Sequence, residues 1–361
     1  MVKAAMTPRE RVLTAMRRQQ PDRVPKRLEY GSFVPKTMDI FRKKTGASNP
    51  EEYFNYDARN VHFKPPAQKG GFEKYIPAVI PEGAFVDWNT GNVQKKGFHD
   101  NIYVTLHYAL EEAETPEEIE AYPMPDFEPY RWEHLKETVS ELHARNLAVC
   151  GATGGVFEAA WGIRGFNNFL ADFTVNPEMI AVLTERLCER SCKSARILAQ
   201  ANVDILKIGD DVGTERGMMI SPEMFKKWIK PKHKRIIDAA REIKPDILAF
   251  FHSDGDCREI IPDLIDAGFN ILNPVQPECM DPAELKLQYG DKLAFWGTIG
   301  TQTTMPFGTT ADVKNEVKLR VDTVGAGGGL FLSPTHMLQT EVPWENIIAF
   351  FEAVDEYGVY K

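Results

Sequence analysis

The sequence is short of most features that would take it out of the class of ordinary folded proteins. Its five cysteines, Cys150, Cys188, Cys192, Cys257 and Cys279, are an odd, scattered set in 361 residues. That is too few for a disulfide framework and fits a reducing compartment. Cys188 and Cys192 share a face of a predicted helix, but no histidine or third cysteine stands close enough in sequence to complete a zinc site. No apolar run approaches the ~18–20 residues that span a bilayer, and Met1-Val2-Lys3 leads into a charged helix rather than a secretion signal, so a cytoplasmic location is expected. An excess of positive charge is lacking too. Forty-three Lys and Arg stand against 52 Asp and Glu, and a formal net charge of -9 repels nucleic acid and anionic lipid. The largest basic cluster, Lys226-Lys227 with Lys230, Lys232, Lys234 and Arg235, falls on a helical segment and reads as a solvated face. Gly151-Ala152-Thr153-Gly154-Gly155 has neither the lysine of a P-loop nor the glycine spacing of a dinucleotide site.

What is present is a globular composition, 43% hydrophobic and 26% charged, with enough apolar residues for a sizeable core. The length allows one large architecture or two ordinary domains. No Pro/Gly/Ser-rich linker divides the chain and no repeat is obvious, so a single domain over 1–361 is expected. Thr7-Pro8-Arg9-Glu10 is a capping box with proline at the first helical position, and it opens a helix over 9–19. After the break at Gln20–Pro25, residues 26–31 read as a first strand ending at Glu29-Tyr30-Gly31. The stretch 60–107, rich in Gly, Pro and aromatics, predicts a β-hairpin insertion that roofs a site. From residue 133 amphipathic helices alternate with short apolar strands, the pattern of parallel βαβ units. Helices are predicted over 133–145, 167–173, 177–200, 221–242, 256–267, 281–289, 310–325 and 343–356, and strands over 147–151, 204–209, 247–252, 270–273, 292–296 and 329–332. With the first strand and one from the 60–107 region the count reaches about eight, which suits a (β/α)8 TIM barrel with an N-terminal helical extension.

Barrel chemistry sits at the carboxyl ends of the strands. Those ends read Gly209-Asp210-Asp211, His252-Ser253-Asp254, Pro274-Val275-Gln276 and Ser333-Pro334-Thr335-His336. Two histidines and several carboxylates are thereby directed to one rim. Such a set either does acid-base work, each group shifting the other's pKa, or ligates a divalent metal through nitrogen and oxygen. His252, Asp254 and His336 are the candidate metal ligands. Asp211 is the inward residue of its pair, and Glu158, after the glycine-rich turn, can reach the mouth. Tyr30, Phe157 and Trp296, with Gln276, are the candidates for a pocket that takes a flat, apolar ligand.

Taken in order, several motifs carry a resemblance. They are Asp22-Arg23-Val24-Pro25, Gly209-Asp210-Asp211 with Ser221-Pro222-Glu223-Met224-Phe225, His252, and Leu272-Asn273-Pro274-Val275-Gln276 with Met280-Asp281. Phe295-Trp296-Gly297 and Pro334-Thr335-His336 with Val342-Pro343-Trp344-Glu345-Asn346 complete the set. Over nearly the whole chain they resemble the uroporphyrinogen decarboxylase superfamily, which implies the same barrel. True decarboxylases of the superfamily carry Arg-Gln-Ala-Gly-Arg after the Asp-Arg-Val-Pro turn. Here the stretch reads Lys26-Arg27-Leu28-Glu29-Tyr30-Gly31, and Glu29 would repel an octacarboxylate. The other branch comprises corrinoid-dependent methyltransferases, whose thiol-methylating members bind zinc through His-x-Cys and a distant Cys. Here His252, Asp254 and His336 match those positions, so harder donors replace both sulfurs. The resemblance then implies an O-demethylase methyltransferase. It would move methyl from an aryl methyl ether to the cob(I)alamin of a separate corrinoid carrier protein, with zinc or an acid assisting the oxygen. His252, Asp254 and His336 would act on the ether oxygen, and Asp211 and Glu158 would polarise or complete the cluster. The superfamily's habit of pairing makes a homodimer a further expectation. A decarboxylase of a less acidic substrate, a methyltransferase using a methylamine or other donor, and a binding protein on a degenerate barrel are the alternatives.

Overall fold

Parallel strands and covering helices alternate along most of the chain in this computed structural model, which describes residues 5–31, 33–66, 71–97, 102–124 and 127–360. The strands are β1 (Ala58–Val61), β2 (Ala84–Asp87), β3 (Asn92–Lys96), β4 (Tyr103–His107), β5 (Ala148–Gly154) and β6 (Ile205–Gly209). After a short hairpin of β7 (Gly213–Thr214) and β8 (Gly217–Met218) come β9 (Leu248–His252), β10 (Ile271–Asn273), β11 (Ala294–Ile299) and β12 (Leu330–Pro334). Seven of them form one parallel sheet in the order β1-β5-β6-β9-β10-β11-β12. The curl is closed by residues 25–27. Leu332 N–H donates to the Pro25 carbonyl at 2.9 Å and Arg27 N–H to Leu332 O at 3.3 Å, while Asp57 N–H donates to Lys26 O at 3.2 Å on the other side. The expected barrel is therefore present, with two corrections at its start. The first stave is a single parallel bridge, Lys26 to Leu332, that runs into a 3-10 turn at Glu29–Gly31. The second is Ala58–Val61, ahead of most of the stretch assigned to it.

Period-2 alternation sends one residue set of each strand inward. Cys150, Ile205, Phe250, Ile271, Trp296 and Phe331 meet there, and Val12, Ala15 and Met16 from the helix Pro8–Met16 pack beneath them. That helix starts on the capping box Thr7 and Glu10 and closes the lower end of the barrel. Outside, the 24-residue helix Pro177–Gln200 buries Met179, Leu183, Leu187 and Leu198 along one side. In place of simple hairpins, β2, β3 and β4 form a three-stranded antiparallel sheet with a bulge at Val93/Gln94. Residues 67–70 and 98–101 of that stretch lie outside the described residues. Among the described residues no helix is long and apolar enough to cross a membrane.

Candidate active site at the barrel mouth

The consecutive aspartates after β6 have separate tasks. Asp210 is fully buried and accepts from the N–H groups of Val156, Phe157 and Glu158 at 2.9, 3.0 and 2.6 Å, with His233 Nε2 at 2.7 Å. It thus caps the helix Phe157–Arg164, satisfying the free N–H groups of its first turn. Gly155 makes the approach possible, because a Cβ there would lie 2.1 Å from Gly209 O and 2.6 Å from the Asp210 carboxyl carbon. Asp211, released from capping, turns into the mouth, where its Oδ1 accepts Asp254 N–H at 3.0 Å.

His252 ends β9. Its Nδ1 lies 2.5 Å from Asn273 Oδ1, and Asn273 Nδ2 donates to Trp296 O at 2.8 Å, which fixes the amide with its oxygen toward the imidazole. Nδ1 therefore carries the hydrogen, and in the neutral ring Nε2 presents its lone pair to the mouth, the arrangement found in metal-ligating histidines. Nε2 stands 3.7 Å from Asp211 Oδ1 and 4.0 Å from Asp254 Oδ1, too far for hydrogen bonds. One ligand atom each from Asp211, His252 and Asp254 lies within 4.8 Å of the others. One nitrogen and two carboxylate oxygens, spread around a gap, are a donor set that could hold a divalent cation with open positions. His336 approaches from the far side, its Nε2 3.9 Å from Asp254 Oδ2. The geometry therefore groups Asp211 with His252 and Asp254 and leaves His336 beside them. Burial disfavours charge on His252, but Asp254 and Asp211 outweigh it and raise the imidazole. Asp254 is raised by burial against the opposing pull of His252.

Below this rim lies a cavity of about 300 Å³ lined by Tyr30, Asn60, Glu158, Lys207, Phe250 and His252 among others. This is the low end of ligand pockets and suits a one-ring molecule. Tyr30, in the left-handed region at φ 60°, sets its ring edge-on to His336 at 5.2 Å and to His252 at 6.5 Å. Glu158 opens onto the cavity. The surrounding protein and then the Asp211 and Asp210 carboxylates push it up to about 7. Two expected wall residues are elsewhere. Phe157 is fully buried against Phe169, with ring centres 5.3 Å apart, because it stands on the same buried helix face as Ala160 and Ile163. Trp296 fills the barrel below the cavity, stacked on Phe331 at 3.6 Å. Gln276 is buried and accepts from Gly255 N–H at 3.3 Å, facing an adjoining cavity beside His336. Sequence reasoning missed Lys207, whose Nζ is 2.7 Å from Glu29 Oε1. The signal was a lysine in the middle of the apolar strand Ile205-Leu206-Lys207-Ile208.

Comparison with known proteins places this geometry in context. The model of the uroporphyrinogen decarboxylase (URO-D) family matches residues 108–357. The chain is similar to the methylcobamide:CoM methyltransferase MtbA of Methanosarcina acetivorans, 23% identical over 372 residues that cover 97% of this chain and 98% of that protein. Among solved structures it resembles a methyltransferase from Methanosarcina mazei, with TM-score 0.69 and 17% identity over 98% of this chain and 99% of that one, a likeness of fold.

Proposed function

The chain belongs to the uroporphyrinogen decarboxylase (URO-D) family, and from that premise we propose that it is a corrinoid-dependent methyltransferase. It moves methyl from an aryl methyl ether to the cob(I)alamin of a separate carrier protein. The similarity to MtbA along the whole chain supports the reaction class. The observation that carries the donor is the composition of the rim: Asp211, His252 and Asp254 offer nitrogen and oxygen and no sulfur. Thiolate-rich sites suit activation of a thiol, whereas this set suits an oxygen leaving group. A cavity of about 300 Å³ also holds one aromatic ring more readily than a tetrapyrrole.

In the transfer the methyl–oxygen bond breaks, the cobalt–carbon bond forms, and the electron pair stays on the phenolic oxygen, which must be neutralised. A divalent cation such as zinc, held by Asp211, His252 and Asp254, would supply Lewis-acid assistance to that oxygen. Glu158, shifted to about 7, can hold a proton at neutral pH and release it there. Asn273 keeps the His252 tautomer fixed, and Tyr30 narrows the mouth over both histidines. The test mixes the protein with reduced cob(I)alamin, free or carrier-bound, and a panel of methoxyarenes, methylamines and methylthiols. Methylcobalamin should appear in the visible spectrum with the methoxyarenes. Conversion with another donor class alone, or with none in the presence of an authentic carrier, overturns the reading.

A further inference from the structure

A second cavity, of about 240 Å³, opens beside the mouth and differs from it in chemistry. Gln276, Thr301 with Gln302, and Thr335 with His336 follow the ends of β10, β11 and β12. Those strands are neighbours in the sheet, so these residues gather over one arc of the rim. His336 lines both cavities and marks the boundary between them. Amides and hydroxyls make up most of the polar lining of the second one. Its charged groups besides His336 are the acids Asp254 and Glu341, and no lysine or arginine lines it. Gln276 is 5% exposed, and its Oε1 accepts Gly255 N–H at 3.3 Å, which turns the Nε2 hydrogens away from that loop. No acceptor among the described residues takes them. A buried amide with idle donors is costly until a guest accepts from it. Thr301 and Thr335 share one hydroxyl hydrogen at 2.9 Å, which leaves the pair another hydrogen and spare lone pairs. Gln302 is held at the edge by Glu215, Nε2 to Oε1 at 3.1 Å. An anion would meet two acids and no cation here, and a cation would leave the Gln276 donors unpaired. An uncharged group that both donates and accepts, such as a carboxamide, satisfies the whole lining.

We propose that this cavity takes a peripheral carboxamide of the corrin ring when the carrier docks. It rests on the corrinoid-dependent methyltransferase reading and is independent of the identity of the methyl donor. The rim groups stand 3.7–4.0 Å apart, a gap the macrocycle cannot enter, so its cobalt comes down over the gap and its edge rests on the surrounding surface. The edge of a corrin carries acetamide and propionamide side chains, and the cavity adjoins the gap on its His336 side. The amide carbonyl would accept from Gln276 Nε2, and its N–H groups would donate to Thr335, Gln339 or the acids. A seated amide fixes the rotation of the ring about the cobalt–methyl axis, which makes Gln276 a docking residue rather than a catalytic one.

Equilibrium dialysis of the full-length protein tests this with two methyl-cobalt corrinoids built on one ring, methylcobinamide with its carboxamides and methylcobyrinic acid with carboxylates in their place. The cobinamide should bind at least ~10-fold more tightly at pH 7. Gln276→Met, which removes the buried donor, should cut that binding by about 10-fold and leave the affinity for the acid where it was. Gln339→Arg, at a less buried position, supplies the missing cation. It should narrow the preference by raising the affinity for the acid, which keeps the question decidable should Gln276→Met misfold. Equal binding of the two corrinoids, binding of neither, or a preference that neither substitution changes overturns the proposal. Methyl transfer from the donor panel to the cob(I) forms of the same corrinoids separates the two readings. Turnover that uses both equally keeps the methyltransferase and discards the subsite. A binding preference that responds to the substitutions, without turnover from any donor, does the reverse.

Discussion

The two ends of the barrel use the same residue types to opposite effect. At the lower end Asp57 and Asp204 stand just before β1 and β6. Asp57 accepts from Arg11 at 2.7 Å, from both Arg23 terminal nitrogens at 2.9 Å and from Lys26 N–H at 2.9 Å. Asp204 binds Arg9 at 2.7 Å, Val149 N–H at 2.9 Å and His143 Nε2 at 3.0 Å. At the upper end Asp211, Asp254, His252 and His336 approach to 3.7–4.0 Å and stop. The lower acids are saturated by the protein itself and hold the ring together. The upper ones keep a gap about one atom wide, and barrels reserve that end for chemistry.

Substitutions at the two ends should therefore separate activity from stability. His252→Ala should lower methyl transfer by about 10²–10⁴-fold while leaving the thermal midpoint nearly unchanged. Near-normal turnover would erase the distinction between the ends. Asn273→Ala, one step behind the rim, should weaken metal binding or turnover by about 10–100-fold, as measured by competition with a chromophoric chelator. Asp57→Ala should do the converse. It takes its carboxylate from half-buried Arg23 and one of two from buried Arg11, which keeps Asp22, and should lower the unfolding free energy by about 3 kcal/mol in urea titrations, with kcat per folded molecule retained.

The smallest effects concern pH and have opposite signs. Asp204 is opposed by burial but held below its ordinary value by Arg9, Val149 N–H and His143. Its contribution is present above the unfolded value of 3.8 and is lost as the pH falls through the folded value, so Asp204→Asn should destabilise at pH 7 and little in strong acid. Glu158 is raised from 4.5 to about 7, so the folded protein prefers it protonated and loses stability as the pH rises through that interval. Glu158→Gln should accordingly gain in melting temperature relative to wild type between pH 5 and pH 8. A flat difference would show that the carboxyl is not shifted.

The lower end explains much of what was readable beforehand. The Asp22-Arg23 turn, the capping box at Thr7 and the helix over 177–200 are local signals, and their patterns state their own structure. The strand-end rule likewise predicted the rim to which Asp211, His252, Asp254 and His336 come. It did not tell inward from buried. Phe157 and Trp296 stand close in sequence to the mouth, but the buried face of a helix and an inner barrel layer, each packed by distant residues, hold them away from it. Gln276 was drawn aside by Gly255, 21 residues earlier. Nor could spacing reveal Lys207 with Glu29, because the pair joins residues 178 apart and only a closed ring brings them together.

The helix Pro8–Met16 packs Val12, Ala15 and Met16 against the inner residues and stops the barrel from below. This fixes the traffic of the proposed reaction. With the base closed, the described residues leave the mouth as the way in, so the substrate should be seated before a bulky carrier covers it, and the demethylated product should leave after the carrier has withdrawn. The kinetic order is thus first in, last out. Excess carrier should slow steady-state turnover by trapping product beneath it, even as it speeds the first methyl transfer.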